Sequence, residues 1–253
     1  TGSHMALIKG VAFTPDGKYI VSSGDDKVIR VWDWQAGRTV RAIRGQVGPA
    51  DEGKVLAMAL SPDGRWLAAG GWMKVPGESG HAIRVYDFAT GRLTGLLKGH
   101  TNVVNGMAAS PDGKYLISGQ GGGASSMAII WDVASRKPLH YLKGHKAPIY
   151  AVAFTTDSER AVTGSDDTTL RLWRVSNGSL ITEMKGHTSD LDRALAIRSS
   201  DGMIASGDST GEIRLWDGRT GQYLRTFGTQ GTNVGVLVYS PDGKRLLSGG
   251  LDR

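Results

Sequence analysis

The 253-residue chain has no cysteine, which excludes disulfides and thiolate metal sites and leaves the redox compartment open. Nor does any apolar run approach the roughly 18 residues of a membrane-spanning helix, and aromatic residues make up only 7%. Clustered charge is lacking too. The formal net charge is +6, but Lys18, Arg65, Lys114 and Lys244 sit in separate turns with aspartate close by, the pattern of a solvated surface. Without a basic helix or an aromatic-interleaved basic patch, binding of nucleic acid or another polyanion through these turns is the weaker alternative. Histidines show no metal-ligand spacing, so neither a metal nor a cofactor is expected.

Glycine is abundant, at 37 copies, and it separates short segments rich in β-branched and aromatic residues. The clearest repeating unit runs from 144 to 175. Strands are predicted at 149 to 155, 160 to 164, 169 to 175 and 179 to 185, forming an antiparallel meander of positions A, B, C and D. The first is nearly continuously apolar, which predicts burial on both faces by stacked neighbouring sheets. A buried Trp173 indole needs an oxygen, which Thr163 on strand B can supply. The Thr163 hydroxyl can then donate to His145, and the other imidazole N–H to Asp167. A hydrolase triad uses the same residue types, but it also needs an exposed nucleophile and an oxyanion site, and neither is visible.

With Gly144-His145, Asp167 and Trp173 followed by Arg174 where aspartate is usual, the chain resembles the WD-repeat β-propeller family, in a form with bacterial-type Ser-Pro-Asp-Gly turns. The likeness covers everything beyond the first five residues. It implies an all-β propeller of four-stranded antiparallel blades, in which the His, Ser or Thr, Asp and Trp of each repeat form a structural tetrad. Members of the family generally bind proteins and lack catalytic activity of their own.

Six units follow, at about 6–45, 46–98, 99–143, 144–185, 186–228 and a partial 229–253. Thr1 to Met5 look like an expression-tag remnant, so His4 is given no weight. Unit one carries Ser22, Asp26 and Trp32, and unit three carries His100, Ser118 and Trp131 with no aspartate in its B–C loop. Unit five has His187, Ser206 and Trp216, with Thr210 at the expected aspartate position and Asp208 two places early. Unit two has lost the pattern, with Ala69 for the hydroxyl residue and Tyr86 for tryptophan. Unit six offers Gln230, Ser248 and Asp252 before the chain stops. Trp32, Tyr86, Trp131, Trp173 and Trp216 are spaced by 54, 45, 42 and 43 residues, close to the ~40–45-residue period of propeller blades. Five complete blades and half of a sixth are therefore expected, as a fragment of a larger ring, most often seven-bladed in the family, whose remaining blades lie in the parent chain or in another.

Three departures in length, at 46 to 53, 72 to 80 and 119 to 126, all fall in D–A or B–C loops and so gather on one sector of one face. The glycine-rich 119 to 126 is followed by a strand rather than a helix, which favours a hairpin over a phosphate cradle. Trp72, Met73, Lys74, Glu78 and His81 combine an aromatic anchor, a pliable apolar side chain and rim charges, a composition suited to a partner-binding centre. The plainer reading is that Trp72 folds back on its own loop. Arg30, Arg84, Arg171 and Arg214 each precede the Trp or Tyr by two and share its face of strand C, pointing to a repeated packing or surface role. The expected function is a non-catalytic scaffold for a protein or peptide partner, in a cytoplasmic bacterial signalling or regulatory protein. An enzyme or ligand-binding propeller using the central channel is the alternative, but the A strands offer mainly small and apolar residues.

Overall fold

The computed structural model describes residues 4–45, 48–75, 77–122 and 126–250. Gln46, residues 123–125 of the glycine-rich loop and Asp252 lie outside them. Five four-stranded antiparallel sheets and one two-stranded sheet follow one another along the chain, each in sequence order. Blade one is β1 (Ile8–Phe13), β2 (Tyr19–Gly24), β3 (Val28–Asp33) and β4 (Arg38–Arg44). Blade two is β5 (Val55–Leu60), β6 (Trp66–Gly71), β7 (His81–Asp87) and β8 (Leu93–His100). Blade three is β9 (Val104–Ala109), β10 (Tyr115–Gln120), β11 (Met127–Asp132) and β12 (Lys137–Lys143). Blade four is β13 (Ile149–Phe154), β14 (Arg160–Ser165), β15 (Leu170–Arg174) and β16 (Leu180–Met184). Blade five is β17 (Leu195–Ile197), β18 (Ile204–Gly207), β19 (Glu212–Trp216) and β20 (Tyr223–Thr229), and blade six pairs β21 (Val234–Tyr239) with β22 (Leu246–Gly250).

The apolar cores lie between blades, not within them. Val21, Ile29, Val31 and Ile43 of blade one pack on Val55, Leu67 and Tyr86 of blade two, and four further interfaces repeat the arrangement down to Val234 and Leu237 of blade six. Alternation along each strand sends successive side chains to opposite neighbours, so that Ala161 faces blade three while Val162 faces blade five. In the five four-stranded blades, strands at positions B and C are thus largely buried, as in β10, β14 and β15. This corrects the expectation for strand A. In β13 only Ile149, Ala151 and Phe154 are buried, because position A borders the axis and one of its faces opens to the channel.

The A–B turns share one mechanism. In blade three the Ser110 hydroxyl donates to Asp112 at 2.6 Å, and the same carboxylate accepts from the Lys114 amide at 3.1 Å. Gly113 closes the turn at φ 73°, where a side chain would be strained. Blade four has Ser158 in that place at φ 60°, and its hydroxyl accepts a bond from the Asp112 amide of the neighbouring turn. At the outer ends of the array, Val11 and Phe13 on β1 and Val236 and Val238 on β21 are exposed.

Candidate functional site

In blade four the Trp173 indole donates to Thr163 Oγ1 at 2.9 Å, and Thr163 lies 2.7 Å from His145 Nε2. His145 Nδ1 is 2.8 Å from Asp167, whose carboxylate also accepts from the Lys146 and Thr169 amides. Burial works against ionisation of Asp167, but the bonds from His145 and Thr169 outweigh it and hold the carboxyl well below its usual range. The Thr163 hydroxyl is fully buried and engaged on both sides, so it is not placed as a nucleophile.

Blade one is built the same way, with a residue that the sequence reading set aside. His4 Nε2 lies 2.7 Å from Ser22 Oγ, His4 Nδ1 lies 2.9 Å from Asp26, and the Trp32 indole donates to Ser22 at 2.6 Å. Arg30 also donates to Asp26 at 2.6 Å. His4 occupies the tetrad histidine position, because it precedes Ser22 by the same 18 residues that separate His145 from Thr163.

Blade five carries its tetrad in a rearranged form. Asp208, not a residue at position 210, completes its network: His187 lies 2.8 Å from Asp208 and 2.7 Å from Ser206, which accepts the Trp216 indole bond at 2.8 Å. Thr210 donates to Asp208 at 2.6 Å and so supports the tetrad from outside. In blade three the Gln120 amide oxygen lies 2.8 Å from His100 Nδ1 and replaces the missing carboxylate, while Ser118 bridges His100 and Trp131. Burial pushes the His100 imidazole down to about 4, with the Gln120 bond only partly opposing.

His187, Asp208 and Glu212 place potential ligand atoms within 4.8 Å of one another. Their polar atoms are committed elsewhere, since Asp208 holds His187 and Thr210 while Glu212 pairs with Arg214 at 3.0 Å. In blades four and five the repeated arginine explains the glycine before the tetrad histidine. Arg171 lies across Gly144 and Arg214 across Gly186, so that a Cβ at either glycine would collide with the guanidinium.

Blade two breaks this pattern. Ala69 pairs with Arg84 and Leu67 with Tyr86, the register that elsewhere opposes the hydroxyl residue to arginine and a core residue to tryptophan. Tyr86 fills the indole position, and its hydroxyl stands 3.3 Å from where a Cβ of Gly45 would be, with Arg84 Nη1 at 3.8 Å. Here the arginine does not crowd the glycine. A cavity of about 260 Å³ opens beside them, lined by Arg44, Lys74, Val75, Arg84, Leu93 and Leu96 among others.

The five residues expected to form a partner site divide. Trp72 is 38% exposed, Lys74 is on the surface, and Glu78 pairs with Lys98 at 2.7 Å. Met73, by contrast, is only 1% exposed and belongs to the core between blades one and two, so it is withdrawn from the partner surface. His81 is likewise buried, 7% exposed, at the start of β7. Its ring meets the Trp72 indole edge to face at 5.9 Å, and neither ring nitrogen has a hydrogen-bond partner among the described residues. Burial pushes the His81 imidazole down, against the pull of the Glu52 carboxylate. Trp72 therefore does fold onto its own loop, through His81, while keeping part of the indole outside.

The WD domain, G-beta repeat family model matches residues 1–33, 38–87, 91–132, 136–174, 178–217 and 221–253. The chain belongs to the WD40 family. Matched segments such as 38–87 begin at strand D of one blade and end at strand C of the next, so the sequence repeat is offset by one strand from the structural blade. Apoptotic protease-activating factor 1 of Rattus norvegicus is 29% identical over 245 residues, covering 94% of this chain but 18% of that protein. Nuclear distribution protein nudF of Aspergillus niger is 25% identical, with 94% of this chain and 66% of that one covered. The U3 small nucleolar RNA-associated protein 15 homolog of Xenopus tropicalis is 32% identical over 55% of this chain and 26% of its own length. The chain thus spans under a fifth of the first of these relatives.

A second polar region lies on the same face at the channel mouth. Asp166, Asp190 and Asp192 border a cavity of about 430 Å³ with Tyr150, Lys9 and Arg193. Burial, then the neighbouring Asp190, Asp192 and Asp167 carboxylates, push Asp166 up to about 6. The sequence reading missed this cluster. The three acids come from two loops, Asp166 from the B–C turn of blade four and Asp190 and Asp192 from the D–A loop entering blade five, and only the blade packing brings them together.

Proposed function

We propose that this WD40 chain is a non-catalytic, cytoplasmic interaction scaffold whose partner surface is the sector of blade two around Trp72. The observation that carries this reading is the pairing of a part-exposed Trp72 with a buried His81 whose ring nitrogens have no partner among the described residues. A buried, unpaired polar group costs about 1–3 kcal/mol, and interface anchors are enriched in tryptophan. The names of the three relatives attach to apoptotic protease activation, nuclear distribution and small nucleolar RNA, which have no chemistry in common. A shared domain that presents surfaces rather than reacting groups fits that spread. The bacterial signalling context rests on the Ser-Pro-Asp-Gly turns alone, the relatives named above being eukaryotic, and the scaffold reading does not depend on it.

The test is affinity capture with the wild-type chain, followed by titration of the identified partner against Trp72→Ala and Glu78→Lys. Met73 is left in place, because its removal would open the core. Trp72→Ala is expected to weaken binding by at least about tenfold, the scale of a central anchor. Unchanged affinity in both variants would remove the site. The acidic channel mouth supports a second reading, capture of a lysine- or arginine-bearing peptide, in which Asp166→Asn and Asp190→Asn are the variants that weaken binding.

A further inference from the structure

We propose that the cavity opened by the broken tetrad of blade two is a docking pocket for a short acidic peptide segment carrying an apolar side chain. The inference rests on the reading of that sector as a partner surface and adds the chemistry of what it takes. Blades one, three, four and five fill the corresponding space with an indole bonded to a hydroxyl residue. Blade two has Tyr86 in place of the indole and the fully buried Ala69 in place of the hydroxyl residue, and the cavity opens beside Tyr86.

The cavity is lined by residues of two kinds. Leu93, which is 52% exposed, and Leu96, Val75 and the Tyr86 ring give it an apolar wall. Arg44, Lys74 and Arg84 bring three cationic side chains to its border, and no carboxylate is among its lining residues. Unlike Lys54, Lys98 and Arg30, neither Arg44 nor Lys74 forms an ion pair within 4.0 Å among the described residues. Such a border attracts a carboxylate, and the leucines accept the methylenes beside it.

Size favours a peptide side chain over a whole free ligand. About 260 Å³ lies below the roughly 300–1,000 Å³ of pockets that enclose whole small molecules. It suits one or two side chains of a chain that runs on across the surface toward Trp72. The positive border favours glutamate or aspartate over any neutral polar residue.

The experiment uses fluorescence anisotropy on the whole protein with a fluorescein-labelled hexapeptide of alternating glutamate and leucine. Its lysine–leucine counterpart and hexanoate, as a free carboxylate competitor, are the controls. The acidic peptide is expected to bind, more weakly as salt rises, while the basic peptide does not. Arg44→Glu and Lys74→Glu, both at exposed positions, should each weaken binding by at least about tenfold. The double variant Ala69→Ser/Tyr86→Trp puts back the hydroxyl and indole members of the tetrad, narrows the space beside residue 86 and should abolish binding without lowering the melting temperature. Should that variant fail to fold, the two charge reversals carry the test alone. Undiminished binding by the charge-reversed proteins overturns the proposal, as does displacement by hexanoate at the peptide's own concentration, which would make the site one for free carboxylates. If the peptide ignores the pocket variants while a captured partner still requires Trp72, this inference falls and the surface assignment stands. If neither responds, both fall.

Discussion

Each indole N–H in blades one, three, four and five donates to the hydroxyl of Ser22, Ser118, Thr163 or Ser206, and each of those hydroxyls lies against a histidine. A buried N–H left without its acceptor costs about 1–3 kcal/mol, so the network acts as a set of stabilising clamps. His4→Ala is expected to destabilise the protein by about that amount in urea unfolding, with the amides of β2 and β3 losing protection first. An unchanged midpoint would show that His4 contributes nothing to blade one. The buried imidazoles also set an acid limit. Burial lowers His81, His100 and His187, so the folded state binds fewer protons than the unfolded chain, whose histidines titrate near 6.5. The stability they contribute is complete above about pH 6.5 and falls as pH drops, for His100 until about pH 4, where the loss is on the order of 3 kcal/mol. Asp166 acts in the opposite sense, since its raised pKa relieves repulsion as pH falls through about 6. The direct check is NMR titration, in which the His100 ring protons should move near pH 4 and not between 6 and 7.

At the scale of turns and strands, what could be read from the sequence was whatever repeats in register. The strands of blade four lie within a residue of the segments marked by β-branched and aromatic residues, and the Pro-Asp-Gly turns fall where the glycine must take positive φ. The tetrad acid was less legible. Asp26 and Asp167 lie four residues after the hydroxyl residue, but Gln120 and Asp208 lie two after it, at the end of strand B or directly beyond it. A fixed spacing therefore missed Gln120 and left Asp208 as a displaced residue, although their common offset of two was present in the chain. Strand A was misread for a different reason: its apolar composition matches that of a doubly buried strand, and only the arrangement of the A strands around a common channel leaves one face open. The turn mechanism has its own test. Asp112→Ala removes two hydrogen-bond acceptor contacts from a surface turn and should cost about 1 kcal/mol in chemical denaturation without altering partner binding. A loss above about 3 kcal/mol would show that the turn also carries the interface to blade four through Ser158.

Across the whole molecule, regular and irregular units divide the work. Apolar cores are shared between neighbouring blades, so each blade depends on the next for its stability. Blade two is held mainly by its apolar contacts, with Met73 and Tyr86 in the same cluster as Val21 and Ile29, and this leaves its outer loops free to vary. The position of the enlarged loops was legible from strand order alone, whereas the burial of Met73 and His81 was not, because composition does not show which way a loop folds. The central claim is that partners are taken by this sector, and hydrogen–deuterium exchange of the protein with and without its captured partner tests it most directly. Protection is predicted in residues 48–54, 72–75, 77–81 and 93–98, with the tetrad strands of the other blades unchanged. Protection confined to the channel mouth around Asp166 and Asp190, or to the A–B turns, with none in those four segments, would contradict it.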